Sequence, residues 1–225
     1  LVEYCALNPP YGGVALPEDI QSFPADLRSS ETADLFVALS VKRLKNGGRG
    51  VIVLPDGFLF GNDNAKVAIK KYLMKECNLH TIIRLPQSCF APYTSIATNL
   101  LFFDKGESTQ EVWFYRLDMP EGYKHFSKTK PIQPEHMQVV KDWWENRVEI
   151  ADPTDDPAKV TYKAKCYSVQ EIEESGYNLD LCKYPKEEEV ILTPDELLKD
   201  YHERRIALDA KIDETLKSIQ SLLSK

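Results

Sequence analysis

Leu1-Val2-Glu3-Tyr4-Cys5-Ala6-Leu7 runs without a break into Asn8-Pro9-Pro10-Tyr11-Gly12-Gly13. The first seven residues are a short apolar stretch of the kind a buried strand uses. The next six fit neither a helix nor a central strand, because two consecutive prolines lock φ and remove two backbone donors. The motif therefore caps a strand, and the segments beyond it decide the sheet. Ala33, Phe36, Val37, Leu39, Ser40, Val41 and Leu44 recur at helical spacing, and Gly47-Gly48 reads as the helix C-cap. Gly50-Val51-Ile52-Val53-Leu54-Pro55 is an all-apolar strand suited to burial on both faces of a parallel sheet, with Asp56-Gly57 turning the chain at its end. The pattern then predicts a helix over 62–75, a strand over 79–85 stopped by Pro86, and strands over 97–104 and 112–117. Strands alternating with helices in this way specify an open α/β sheet with its ligand-bearing loops at the carboxyl ends of the strands.

Past Leu117 the alternation fades. A helix is expected over 134–148, carrying Trp143-Trp144, which read as helix packing. Asp152-Pro153-Thr154-Asp155-Asp156-Pro157 has the composition of an exposed linker, and 168–174 that of a short capped helix. Thr193 as N-cap, Pro194 at the first helical position and Asp195-Glu196 behind it announce a long terminal helix. Along it Leu198, Tyr201, Leu208, Ile212, Ile219 and Leu222 keep an approximate three-four spacing, broken by Arg205 and Thr215. The expected organisation is a catalytic-type sheet over 1–150, a linker and extension over 151–192, and an interaction helix over 193–225.

A chain of 225 residues, 43% hydrophobic, is long enough for one good core. No apolar run approaches the roughly 20 residues of a membrane span, and no signal-peptide pattern opens the chain, so a cytoplasmic, membrane-free protein is expected. The five cysteines are scattered without a C-x-x-C pair, which fits reduced thiols better than a disulfide framework or a zinc site. The four histidines show no ligand spacing, and Asp152, Asp155 and Asp156 no calcium-loop register, so no metal is expected. Net charge is −7, from 35 acidic and 28 basic residues, too acidic a balance to hold a nucleic acid unaided. The chain opens at Leu1, without a methionine and already inside an apolar run, which reads as a fragment.

The tetrapeptide Asn8-Pro9-Pro10-Tyr11 suits a particular chemistry. An amine conjugated to an aromatic ring is a poor nucleophile, because its lone pair is delocalised. The Asn8 side-chain oxygen and the Pro9 carbonyl can each accept one of its hydrogens, favouring the tetrahedral amine of a transition state. The prolines fix that carbonyl's direction. Tyr11 offers an aromatic face to a base, which must leave its duplex to reach such a pocket.

Taken together, these segments resemble the modification (M) subunit of type I restriction-modification systems, within the N6-adenine methyltransferases. Asn8-Pro9-Pro10-Tyr11-Gly12-Gly13 is similar to the family's catalytic motif. Gly48-Arg49-Gly50-Val51-Ile52-Val53-Leu54-Pro55-Asp56-Gly57 resembles its next strand and loop, and Phe90 followed by Thr98-Asn99-Leu100-Leu101-Phe102-Phe103-Asp104-Lys105-Gly106 a later strand. The likeness continues through Tyr177-Asn178-Leu179 into the terminal helix. It implies a Rossmann-like sheet, represented by its carboxyl-terminal half, that methylates adenine N6 with S-adenosylmethionine. It also implies that Phe90 packs on the flipped adenine opposite Tyr11. The implied partners are DNA, a specificity (S) subunit docked on the terminal helix, and a restriction (R) subunit. The family's glycine-containing donor loop has no counterpart here, so the fragment is expected to be inactive alone.

Two rival readings stand beside this one: a non-catalytic interaction module of the same assembly, and a protein-glutamine N-methyltransferase, whose planar nitrogen suits the same acceptors. The basic run Lys124-His125-Phe126-Ser127-Lys128-Thr129-Lys130, together with Arg84, Lys42 and Arg43, reads as solvated surface with a possible phosphate role.

Overall fold

The computed structural model describes residues 1–154, 156, 158, 160–184 and 194–223. The chain divides into two compact units, Leu1–Pro185 and Lys186–Lys225. The first is built on one mixed sheet. Strand β1 (Val2–Leu7) pairs in parallel with β2 (Leu44–Pro55), placing Leu7 opposite Ile52. Strand β4 (Thr98–Lys105) runs antiparallel between β2 and β3 (Cys77–Arg84). Beyond β3 come β5 (Glu111–Arg116), parallel to it, then β7 (Tyr162–Ser168) and the two-residue β6 (Ile150–Ala151), both antiparallel to their neighbours. The order across the sheet is β1-β2-β4-β3-β5-β7-β6.

The alternation of strand side chains sorts them between two faces. Ile52 and Leu54 of β2, with Leu101 and Phe103 of β4, are fully buried. They share a core with Val37 and Val41 of α2 (Thr32–Arg43), Phe58 and Leu59 of α3 (Asp56–Phe60), and Ile69 and Leu73 of α4 (Asn64–Glu76). On the other face, α5 (Gln138–Glu145) lays Val140 and Trp143 against Ile83, Tyr115 and Ala164. The paired tryptophans are packing residues, as expected: Trp143 sits 4.6 Å from the Tyr115 ring and Trp144 4.9 Å from Phe102.

Several expectations are corrected. The opening strand is not buried: β1 lies at the edge of the sheet, with Val2 and Tyr4 exposed. Helix α2 ends at Arg43, where the chain becomes extended at Leu44. Gly47, at φ +77°, belongs instead to a bulge that shifts the register between β1 and β2, a conformation glycine adopts without penalty. Asp56-Gly57 opens helix α3 rather than a turn. A 3-10 turn, Pro134–Met137, precedes α5, and α5 stops at Glu145, because residues 146–148 fold back and the Trp143 indole donates to the Val148 carbonyl at 2.9 Å.

The stretch assigned to a linker and extension contributes β7 to the sheet. Asp152 within it is buried against Arg116, and Leu179 and Cys182 join the main core. The capped helix expected over 168–174 is α6 (Val169–Glu174), with Ser168 and Glu171 forming a capping box. A further short helix, α1 (Pro17–Gln21), comes after the motif. The second unit contains helix α7 (Pro194–Leu223), and Thr193, expected as its cap, lies outside the described residues, as does Asp155 of the acidic stretch. No helix among the described residues is long and apolar enough to cross a membrane.

Candidate functional site

Strand β1 ends where the prolines begin, so Asn8-Pro9-Pro10-Tyr11 emerges at the carboxyl edge of the sheet, beside the end of β2 at Pro55. Pro9 is buried and anchors the motif, while Asn8 and Pro10 are exposed and Tyr11 is half-buried. The Tyr11 hydroxyl donates to Asn8 Oδ1 at 3.0 Å, which fixes the orientation of the amide. Gly12, at φ +69°, turns the chain, and the Gly13 carbonyl accepts from the Thr32 amide at 2.9 Å. Val14 then bridges to Glu31, so the segment after the motif returns directly to the start of α2.

The loop between β3 and β4 carries Cys89, whose charge bears on Tyr11 of the motif. Burial, reinforced by the neighbouring Cys89 thiol, pushes the Tyr11 hydroxyl up to about 12, so it stays a donor through neutral pH. Cys89 in turn lies 3.4 Å from the Thr98 hydroxyl at the base of the loop. Phe90, the next residue, is half-buried against the Ile83–Leu85–Tyr115 cluster, and its carbonyl accepts from the Tyr93 and Thr94 amides at 2.9 and 3.3 Å. Cys89 thus bears on the charge of the Tyr11 hydroxyl, and Phe90 follows it in the chain.

Beneath that loop lies a buried ionic network that sequence reasoning missed. Arg84, expected on the solvated surface, is 7% exposed and lies at the end of β3. Its guanidinium donates to Asp56 Oδ2 at 3.1 Å and to Asp180 Oδ1. Asn99 Nδ2 donates to the second Asp56 oxygen at 2.6 Å. The Tyr184 hydroxyl donates to the Leu85 carbonyl at 2.8 Å, closing the same edge. Further along, Arg116 at the end of β5 pairs with Asp152 at 2.5 Å and Asp118 at 2.7 Å. Although burial opposes it, Arg116 holds the Asp152 carboxyl below the usual carboxylate range. The one signal in the sequence for the first network is that Asp56 and Asn99 fall inside the family-like motifs, with the 177–179 stretch ending next to Asp180.

A second network braces the return from the motif to α2. The Lys66 ammonium lies 2.6 Å from Glu31, 3.3 Å from the fully buried Asp34 and 3.4 Å from Asp63. Burial works against the Lys66 charge, yet the Glu31 and Asp34 carboxylates hold it well above its ordinary value. The basic run 124–130 is mostly exposed, except that Phe126 is buried against Tyr123 and His136. Among the described residues no cluster of three His, Cys, Asp or Glu side chains is placed to hold a metal.

A mixed sheet with an antiparallel strand inserted between parallel ones, and an Asn-Pro-Pro-Tyr corner at its carboxyl edge, is a Rossmann-like methyltransferase fold. The chain belongs to the N-6 DNA Methylase family, whose sequence model matches residues 2–191. It is 42% identical over 222 residues to the type I restriction enzyme EcoEI methylase subunit of Escherichia coli, a match covering 99% of this chain and 44% of that protein. A solved chain from a study of complex assembly in the type I R-M system is 30% identical, with a TM-score of 0.68, over 97% of this chain and 45% of that one. The crystal structure of the EcoKI M protein shares the fold at 23% identity and a TM-score of 0.60, over 94% of this chain and 50% of that one. The chain therefore spans less than half the length of the E. coli EcoEI relative.

Proposed function

We propose that this chain is the base-binding half of an adenine-N6 DNA methyltransferase, working within a longer type I modification subunit. The observation that carries the reading is the corner at the end of β1, where Asn8 Oδ1 and the Pro9 carbonyl stand at the carboxyl edge of the sheet. The Asn8 oxygen and the Pro9 carbonyl accept the two hydrogens of the adenine amine and draw it from planar towards tetrahedral, which frees its lone pair. Tyr11 lends its ring face to the extruded base, and Phe90 closes on the other side. The Arg84 network holds the floor of the Phe90 loop, because Asp56 and Asn99 fix the strand ends from which that loop rises.

The residues present do not fit the methyl donor. Among the described residues no Gly-x-Gly segment follows a strand at this edge, and β1 leaves its outer side unpaired. S-adenosylmethionine binding belongs, on this reading, to another part of the longer subunit, and no step is assigned to the donor here. Helix α7 supplies a separate element. Its narrow apolar stripe, with Tyr201, Leu208 and Ile212, suits docking to helices of a specificity subunit that reads the DNA sequence, with a restriction subunit completing the assembly.

The test is transfer of labelled methyl groups from S-adenosylmethionine to DNA by the longer subunit with its specificity partner. Asn8→Ala is expected to reduce transfer to adenine by at least about a hundredfold, as for removal of other transition-state hydrogen-bonding groups. Undiminished transfer by that variant, or intact donor binding with no transfer to DNA, would refute the assignment.

A further inference from the structure

Strands β1, β2, β3 and β5 all point the same way, because β4 is antiparallel to both β2 and β3 and β5 is parallel to β3. Their carboxyl ends meet one edge of the sheet. Asn8 therefore shares that edge with Asp56, with the loop that carries Phe90, and with the segment that leaves β5 after Arg116. This last segment holds the basic run. Lys124, Lys128 and Lys130 stand between Glu121 and Glu135 with no acidic residue among them.

The run is fixed from within and from beside. Ser127 and Lys130 exchange backbone hydrogen bonds at 3.0 and 3.2 Å, closing a tight turn around Lys128 and Thr129. Phe126 is buried, with the Tyr123 and His136 rings each 5.6 Å from its own. Its amide donates to the Ser88 hydroxyl at 2.9 Å, two residues before Phe90. Ser88 holds φ at +65°, a conformation that a serine keeps where its surroundings impose it. The three lysines are exposed on this fixed backbone, and no described carboxylate forms an ion pair with any of them. Cations elsewhere on the same unit are commonly matched, as Lys45 is with Glu3, Lys105 with Glu76 and Lys163 with Asp118.

We infer that this loop is a phosphate clamp, in which Lys124, Lys128 and Lys130 grip the backbone of the duplex that carries the target adenine. The inference rests on the reading of DNA as the substrate at Asn8. An ammonium is a compact charge with three donors, which takes phosphate oxygens from many directions. In a chain of net charge −7 a local field of this kind, and not the molecule as a whole, must attract a polyanion. From β1 to β5 is four strand spacings across the sheet, about 19 Å at ~4.8 Å each. At ~3.4 Å per base pair this is about five or six steps along a duplex, so one DNA molecule lying on the edge reaches both the corner and the clamp. The bond from Phe126 to Ser88 ties the clamp to the loop that carries Phe90, so seating the phosphates also seats that loop. Such contacts position the duplex and read no bases.

The experiment measures the affinity of the longer subunit, bound to its specificity partner, for a fluorescently labelled duplex containing the target site, across a series of salt concentrations. With Lys124→Gln, Lys128→Gln and Lys130→Gln combined, the slope of log K against log salt should become shallower by about 2 to 3, since each phosphate contact contributes about 0.9. Binding at physiological salt should weaken about tenfold or more, and equally on a duplex without the target site. Replacing the same three lysines by arginine keeps the charge and should keep the wild-type slope. An unchanged slope in the glutamine variant, a loss confined to the target-bearing duplex, or an arginine variant as shallow as the glutamine one would overturn the proposal. So would a glutamine variant that parts from its specificity partner in size-exclusion chromatography, because the loop would then be a protein interface. Binding is read without turnover, so a complex that shows the expected slopes yet transfers no methyl group would count only against the methyltransferase reading.

Discussion

The Tyr11 hydroxyl on Asn8 Oδ1 gives one side chain two separable duties. On the proposed function the ring faces a base, and the hydroxyl, which donates to Asn8 Oδ1, holds the amide so that its oxygen stays where an amine must find it. Tyr11→Phe keeps the first and removes the second. A neutral hydrogen bond is worth about 0.5–1.5 kcal/mol, so methyl transfer should fall about two- to twelvefold at saturating DNA, with KM for DNA unchanged. A rise in KM with kcat untouched would show that the hydroxyl serves base binding instead. The motif itself was legible because two prolines after an apolar run leave few conformations. Arg84 was not, since its burial depends on Asp56 and Asp180, which lie 28 and 96 residues away along the chain.

At the scale of elements, two contacts decide how the sheet holds together. A Cβ on Gly50 would stand 2.4 Å from the Phe103 ring across the β2–β4 pair, and Phe103 is fully buried. Gly50→Ala should therefore cost about 1–3 kcal/mol, read as a lower urea midpoint, with Phe103→Leu in the same chain recovering part of it. The second contact, Arg116 with Asp152, joins β5 to the segment before β7. The Asp152 carboxyl is depressed in the folded chain, so its stabilisation is fully present above the unfolded value near ~3.9 and fades as pH falls through the lower folded value. Asp152→Asn should flatten the acid limb of the stability curve below about pH 4, measured by thermal unfolding across pH. An unchanged acid limb would show that the pair contributes nothing to folding. The strands and helices up to β5 are set by period and punctuation. Strand β7 escaped because Lys163 and Lys165 flank the single buried Ala164, a pattern that looks solvated until the antiparallel pairing with β5 is seen. Helix α3 escaped because five residues are too few to show a helical period.

For the whole molecule, the proposed function divides the labour, with base handling here and donor handling elsewhere in a longer subunit. Calorimetry of the 225-residue chain with S-adenosylmethionine should accordingly give no saturable heat, whereas the longer subunit should bind; a tight heat from the short chain would place the donor site among these residues. The family and the sheet class were legible because they rest on contiguous motifs. The ionic floor was not, because it joins residues from separate strands. The exposed strand has a practical corollary for handling the protein. Val2–Leu7 presents a free ladder of amides and carbonyls with Glu3 as its only charge, and such an edge templates pairing with any other extended chain. Left open, that edge is a seed for strand-to-strand aggregation, and Tyr4→Lys is the simplest way to blunt it.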